Sequence, residues 1–151
     1  MDAIKLLTQD HEEVEGLFKK FEDAGDRAVK TKEGLVEKMI EELTIHAEIE
    51  EEIFYPAVKS KISATEGEVL ESVEEHHVAD VLMEEIKALH PQDEAFDAKV
   101  TVLMENVRHH KAEEERELFP EVRKGFSKEE LDTLGQRLEK LKQQKKQAHA
   151  A

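Results

Sequence analysis

Two histidine–glutamate pairs with the same spacing are the residues of this chain best suited to chemistry. His46 precedes Glu50 by four residues, and His110 precedes Glu114 by four. On a helix this spacing puts both side chains on one face, about one turn apart, so that they can reach one metal ion or two adjacent ions. Each pair lies on an apolar stripe, where an ionised carboxylate without a partner is costly. These positions therefore predict a bound cation.

The two segments that carry these pairs align without a gap. HAEIEEEIFYP begins at His46 and HKAEEERELFP begins at His110, which is an offset of 64 residues. His11, shifted by the same offset, falls on Glu75, directly before His76. The chain is therefore interpreted as two similar helix pairs. His11 and His76 join the candidate metal ligands, with His77 as an alternative to His76.

The rest of the pattern is helical. Apolar residues recur three and four positions apart, as is typical of amphipathic helices. Four segments show this period most clearly: about residues 3–22, 31–55, 65–89 and 93–119. Pro56 and Pro120 are expected to kink or end the second and fourth helices. A fifth helix begins near Ser127, whose SKEE segment is typical of a capping box. We expect an all-α, antiparallel up-and-down four-helix bundle with an additional C-terminal helix.

Length and composition limit the function. At 151 residues the chain fits one domain, residues 1–151, with a metal-binding bundle over about 1–121 and a bracing helix over about 127–147. The absence of cysteine excludes thiolate zinc sites and iron–sulfur clusters, so that a metal must use histidine and carboxylate. The formal charge of −15 argues against nucleic acid and membrane surfaces as partners. The lysines between positions 140 and 146 are interpreted as a solvated helix face.

The beginning of the chain and its hydropathy predict a location. Acidic residues stand near the start, where a signal peptide has a basic flank, and no apolar run approaches the roughly 18 residues of a membrane span. We therefore expect a cytoplasmic protein.

Four imidazoles and two carboxylates form a nitrogen and oxygen donor set. Such a set suits iron or manganese better than calcium or magnesium. Two glutamates that bridge two ions, together with oxo, hydroxo or water ligands, would fill most coordination positions and leave one open. An open position is where a small molecule binds or reacts.

Four motifs carry a family resemblance: DHEEVEGLF, HAEIEEEIFYP, EEHHVADVL and HHKAEEERELFP. In this sequence they resemble the hemerythrin-like proteins of the HHE cation-binding group, over about residues 10–120 and in the family's order. The resemblance implies a four-helix bundle with two non-haem iron ions, with manganese or zinc as alternative metals. The ligands it implies directly are His11, His46, Glu50, His110 and Glu114. For the third helix, the repeat offset and the Glu–His step of the family favour His76 over His77.

The sequence also departs from the oxygen-carrying members of that family. In those proteins the last carboxylate follows its histidine by five residues, which here would select Glu115 instead of Glu114; the matching pair in the second helix favours Glu114. They also have a further histidine on the third helix, where this chain has Asp80, an alternative oxygen ligand or hydrogen-bond partner. This difference argues against simple reversible oxygen carriage.

The leading functional hypothesis is a di-iron protein that binds dioxygen, nitric oxide or peroxide at the open position, for sensing, storage or a stress response. One alternative is a redox enzyme at the same centre that decomposes peroxide or oxidises iron. Another is a regulatory bundle whose metal reports iron status. Tyr55, beside Pro56 at a predicted helix end, is interpreted as a packing residue.

Overall fold

The computed structural model describes residues 1–25 and 28–150, and within them it contains helices and no strand. The α-helices are α1 (Ala3–Asp23), α2 (Val29–Ile49), α3 (Tyr55–Lys61), α4 (Glu66–Ala88), α5 (Glu94–Glu113), α6 (Phe119–Gly125) and α7 (Lys128–Ala150). Two π-helical turns, Glu50–Phe54 and Glu114–Leu118, join α2 to α3 and α5 to α6. A short 3₁₀ turn, Ser63–Thr65, precedes α4. The predicted all-α bundle with an additional helix is confirmed.

A kink or an end was expected at Pro56 and Pro120, and neither helix ends there. The amide of Tyr55 donates to the carbonyl of Glu50, and the amide of Phe119 donates to that of Glu114, each across five residues instead of four. Proline has no amide hydrogen, and its ring clashes with the carbonyl four residues earlier in a regular α-helix. The wider turn immediately before each proline changes the hydrogen-bond register, and the helix continues. Turns of this kind are frequent at functional sites.

The hydrophobic core is divided into two clusters. One lies at the end of the bundle that contains the π turns and α7, and includes Leu7, Phe54 and Leu118. The other lies at the opposite end, around Phe18 and Met83. On α1 and α4 a buried histidine stands between residues of the two clusters, and on α2 and α5 a buried histidine follows the residues of the second cluster. The fold therefore places a polar layer across the middle of its core.

Helix α7 packs against α1 and α2. Leu131, Leu134 and Leu138 are buried in the first cluster. The predicted capping box is present, because the Ser127 hydroxyl accepts from the Glu130 amide at 3.1 Å and the Ser127 amide donates to the Glu130 carboxylate at 2.8 Å. Of the helices described, none is long and apolar enough to cross a membrane.

The sequence suggested that the lysines near the end of α7 form a solvated face. Two of them instead make ion pairs with the first helix pair. The Lys142 ammonium donates to Asp10 on α1 at 2.5 Å. Lys145 lies 3.0 Å from both Glu48 and Glu52. These lysines attach α7 to the first helix pair.

Candidate metal centre

The six predicted ligands meet in the polar layer between the two hydrophobic clusters. Each is less than one-tenth exposed, and Glu50 is completely buried. The histidines come from four different helices. His11 and His76 lie in the middle of theirs, and His46 and His110 lie in the last turn, whereas the glutamates begin the two π turns. The ligands by helix are His11 (α1), His46 (α2), His76 (α4) and His110 (α5), with Glu50 and Glu114 from the turns.

The six side chains form two groups of three. In the first, donor atoms of His11, His46 and Glu114 all lie within 4.8 Å of one another. In the second, the same limit holds for Glu50, His76 and His110. Each group combines residues of the α1–α2 pair with residues of the α4–α5 pair, so that neither pair forms a site alone.

The two carboxylates face both groups. Glu114 Oε1 lies 3.2 Å from His11 Nε2, and its Oε2 lies 3.4 Å from His110 Nε2. Glu50 Oε1 lies 3.3 Å from His46 Nε2 and 3.2 Å from His76 Nε2. The four histidines therefore present the same ring nitrogen to a shared pair of carboxylates.

Several of these inward atoms have no hydrogen-bond partner. His46 Nε2, both carboxylate oxygens of Glu50 and Glu114 Oε1 are buried and unsatisfied within the described residues. Unsatisfied buried polar atoms are rare in folded proteins and call for a reason. A bound cation would satisfy all of them, and nitrogen and carboxylate donors are the ligands that zinc, iron and manganese take. The residues present therefore fit a metal.

The outward nitrogen of each histidine faces a carboxylate. Nδ1 of His46 donates to Asp10 at 2.9 Å, that of His76 to Glu51 at 3.0 Å and that of His110 to Glu75 at 2.9 Å, while that of His11 lies 3.8 Å from Glu115. Such contacts orient the ring and leave Nε2 free for a metal. Asp10, Glu51 and Glu75 were not predicted as partners from the sequence. Their position in the sequence could have identified them, because each stands directly beside a candidate ligand in the chain.

The alternatives left open by the sequence occupy different environments. His76 is buried and faces the centre, whereas His77 is exposed. Glu114 is buried, whereas the side chain of Glu115 is 32% exposed and lies on the outer side of His11. Asp80 is exposed at the rim of a cavity above the histidines. The structure therefore brings His76 and Glu114 into the centre.

Tyr55 packs in the first hydrophobic cluster, as the sequence predicted, and its hydroxyl also reaches the polar layer. Its hydroxyl donates to Glu114 Oε2 at 2.6 Å and lies 3.4 Å from His110 Nε2. Burial raises the pKa of the phenol well above its usual value, and the neighbouring charges of Glu114 and Glu50 raise that pKa further. The proline after Tyr55 suggested a helix end, whereas the π turn keeps the residue inside the bundle.

The metal-free centre is an array of opposite charges. Burial lowers the pKa of His76, but the close carboxylates of Glu50 and Glu51, 3.2 and 3.0 Å from its ring nitrogens, outweigh burial and raise that pKa to about 9. The bond with Glu114 and its charge likewise raise the pKa of His110 to about 10. Burial alone would raise the pKa of Glu114, yet the close imidazoles of His11 and His110, 3.2 and 3.4 Å away, hold that pKa well below its usual range. Imidazolium groups thus occupy the place of cations.

A cavity of about 50 Å³ lies against all four histidines. Its other walls include apolar side chains from both helix pairs: Val14, Phe18, Leu43, Ala79, Met83 and Val107. Neither Glu50 nor Glu114 lines it, so that the cavity and the carboxylates contact different sides of the histidine cluster. It has room for a molecule of only a few atoms.

The fold and the site together define a helical cation-binding bundle. The family model described as the hemerythrin HHE cation-binding domain matches residues 2–122, and the chain belongs to this family. The fold is similar to the crystal structure of an HHE cation-binding domain-containing protein from Mycobacterium kansasii, with a TM-score of 0.85. The two chains are 21% identical, and the match covers 98% of this chain and 89% of the other. At that identity the likeness bears on the fold alone.

A curated protein from Nostoc sp. (strain PCC 7120), named a DNA nickase, is 32% identical to the chain over 133 residues. The match covers 87% of the chain but only 36% of the nickase. The chain therefore spans little more than a third of the length of that relative.

Proposed function

We propose that the chain is a non-haem di-iron protein that binds dioxygen, nitric oxide or peroxide, for sensing, storage or a stress response. The observation that carries the proposal is the pair of buried carboxylates shared by two histidine groups. Two adjacent ions lie roughly 3.5 to 4 Å apart in known two-metal sites, a separation that one carboxylate can bridge. Four buried donor atoms without partners support the same conclusion.

Each of the six candidate ligands then has a defined role. His11 and His46 would hold one ion, His76 and His110 would hold the other, and Glu50 and Glu114 would contact both. When bound, two irons would supply redox chemistry and a coordination position for a small molecule; manganese and zinc are the alternative metals for this donor set. The outer carboxylates keep the imidazole rings in the orientation that this arrangement needs.

The cavity supports a small, uncharged ligand. Seven of its thirteen lining residues other than the histidines are apolar, and a volume of about 50 Å³ suits a ligand of a few atoms. Dioxygen and nitric oxide match both properties. The apolar side chains would also exclude water, which competes for an open metal position.

A redox enzyme acting on peroxide is the second candidate. One observation favours it: the Tyr55 hydroxyl holds a proton 2.6 Å from Glu114, beside the centre. A phenol in this place can donate a hydrogen bond to a carboxylate or to a polar ligand.

Nucleic acid is not part of the proposal. The name of the Nostoc relative belongs to a protein of which this chain matches about a third. The formal charge of −15 opposes binding to phosphates. An electrophoretic mobility assay with nicked and intact duplex DNA tests this point, and a retarded band at moderate salt would contradict it.

The deciding experiment is anaerobic reconstitution with ferrous iron, followed by metal counting and absorption spectra before and after dioxygen, nitric oxide and peroxide. Two irons per chain and an oxygen-dependent band that reverses under vacuum support carriage or sensing. Irreversible oxidation with peroxide turnover supports the enzyme. His76→Ala should lose iron, whereas the matched variant His77→Ala, at an exposed position, should keep it. A wild-type chain that retains no iron overturns the proposal.

A further inference from the structure

One outer carboxylate differs from the others. Asp10 is 7% exposed, and its two oxygens have different partners. Oδ2 accepts from His46 Nδ1 at 2.9 Å, while Oδ1 accepts from the Lys142 ammonium at 2.5 Å. A chain of two hydrogen bonds therefore joins a lysine of α7 to a candidate metal ligand.

The other outer carboxylates lack such a cation. Among the ion pairs of residues 1–25 and 28–150, Glu51, Glu75 and Glu115 each pair with a histidine and with no lysine or arginine. Their side chains are 38%, 19% and 32% exposed, compared with 8% for the side chain of Asp10. Water screens charges at exposed positions more strongly than at buried ones. The negative charge of Asp10, next to His46, is thus balanced by the ammonium group of Lys142.

Lys142 lies outside the family domain. The family model ends at residue 122, whereas α7 covers Lys128–Ala150. Other contacts hold α7 in place, among them the buried side chain of Leu138 and the close approach of Gly135 to the first residues of the chain. Docking of the helix therefore does not depend on Lys142 alone, and it brings the Lys142 side chain, which is 14% exposed, to Asp10.

We propose that Lys142 is a positioning residue that makes the two metal positions unequal, by holding Asp10 and withdrawing charge from the Asp10–His46 hydrogen bond. This inference rests on the proposed di-iron function. A histidine that donates Nδ1–H to a carboxylate becomes a stronger metal ligand. An ammonium on the other carboxylate oxygen reduces that effect. The ion held by His11 and His46 is therefore the more electron-poor of the two.

The test is the reduction potential of the iron-loaded full chain, measured by spectroelectrochemistry with both one-electron steps followed. Lys142→Met removes the charge and nearly preserves the side-chain length. We expect one step to move to a more negative potential while the other stays in place. Lys142→Arg should keep the wild-type values. Lys145→Met is the matched control, because Lys145 lies on the same helix but pairs with Glu48 and Glu52.

A second variant should shift the reduction potential in the opposite direction. Asp10→Asn leaves His46 with a weaker acceptor, so that one step should move to a more positive potential. Loosening of α7 or of the bundle would not shift the potential in opposite directions in the two variants. If Lys142→Met proves unstable by circular dichroism, Asp10→Asn and Lys142→Arg decide the question.

The outcomes separate the two levels of the argument. A wild-type chain with fewer than two irons contradicts the di-iron function, and the inference falls with it. Two irons per chain, with potentials in Lys142→Met that equal those of the wild type or move together in both steps, contradict only the role of Lys142. A positive shift in Lys142→Met would also overturn it.

Discussion

The two helix pairs of this bundle present the same ligands but differ on their outer faces. Ile45 and Ile49 on α2 are buried in the cluster that includes α7 residues. The residues 64 positions later on α5 are His109, which is exposed, and Glu113, which is partly buried. The shared centre constrains the inner faces to similar residues, whereas each outer face follows what covers it. A repeated sequence can therefore hold a nearly symmetric site in unequal surroundings.

The inner symmetry extends beyond the ligands. Asp10 directly precedes His11, and Glu75 directly precedes His76; each of these carboxylates accepts a hydrogen bond from the histidine of the next long helix of its pair. Glu51 and Glu115, one place after the shared carboxylates, face the histidines of the opposite pair. Histidine orientation is therefore set both within each pair and between the pairs.

The largest expected effect comes from breaking the symmetric part. His46→Ala and His110→Ala each remove one nitrogen ligand, and each should reduce the metal content from two ions per chain to one or fewer. The loss of affinity should exceed the roughly 10–100-fold that removal of an outer hydrogen-bond partner costs. Metal counting after dialysis against a chelator measures it. His109→Ala, beside His110 but exposed, is the control. Full metal content in both variants would contradict the ligand assignment.

The pH dependence of the metal-free protein should be the next largest effect. The pKa values of His76 and His110 rise from 6.5 to about 9 and about 10. A raised histidine pKa stabilises the fold fully below the unfolded value and loses that contribution as the pH rises through the folded value. The free energy of unfolding should therefore decrease by a few kcal/mol between about pH 6 and about pH 10.

At acid pH the free energy of unfolding should change in the opposite direction with pH, and rise as the pH rises. The pKa of Glu114 is lowered, so that its contribution is present above its ordinary value of 4.5 and is lost as the pH falls through the folded value. Urea denaturation across the pH range measures both limbs. The metal-loaded protein is the control, because a metal replaces the protons and flattens the alkaline limb. Equal alkaline slopes with and without metal would contradict the prediction.

Two glycines allow a comparison between the outer face that α7 covers and an outer face that no described helix covers. A Cβ added at Gly135 on α7 would approach the backbone nitrogen of Ala3 to 2.9 Å, whereas one added at Gly67 on α4 would meet nothing within 4 Å. Gly135→Ala should lower the free energy of unfolding by about 1–3 kcal/mol, because backbone has to move. Gly67→Ala should change it by less than about 0.5 kcal/mol. Urea denaturation of the metal-loaded proteins measures both, and equal effects would show that α7 is not closely docked.

The sequence was sufficient for the parts that depend on period and repetition. The spacing of apolar residues, three and four positions apart, predicted the helices. The offset between His46 and His110 led to the inward-facing histidines and glutamates. Asp10 and Lys142 could not be paired in advance, because their contact depends on how α7 packs across α1. The helices also continue past Pro56 and Pro120, since a local proline rule does not include the π turn. Contacts between distant helices carry no periodic signal.

The smallest predicted effect concerns a position where the inner symmetry is broken. Position 55 is tyrosine, and the matching position 119 is phenylalanine, which stacks on His11 with ring centres 5.9 Å apart. Glu114 accordingly accepts a hydroxyl hydrogen bond, while both oxygens of Glu50 lack a hydrogen-bond partner among the described residues. Tyr55→Phe should therefore destabilise the metal-free protein by about 1 kcal/mol while keeping its metal content.

Phe119→Tyr is the matched variant, because the repeat directs its new hydroxyl towards Glu50. It should offset most of the loss when combined with Tyr55→Phe, and the double variant would then carry the same asymmetry in reverse. Urea denaturation of the four metal-free proteins measures this cycle. If Phe119→Tyr instead lowers stability by as much as Tyr55→Phe, the two positions are not equivalent. The hydroxyl beside Glu114 would then depend on the surroundings of one helix pair and not on the repeat.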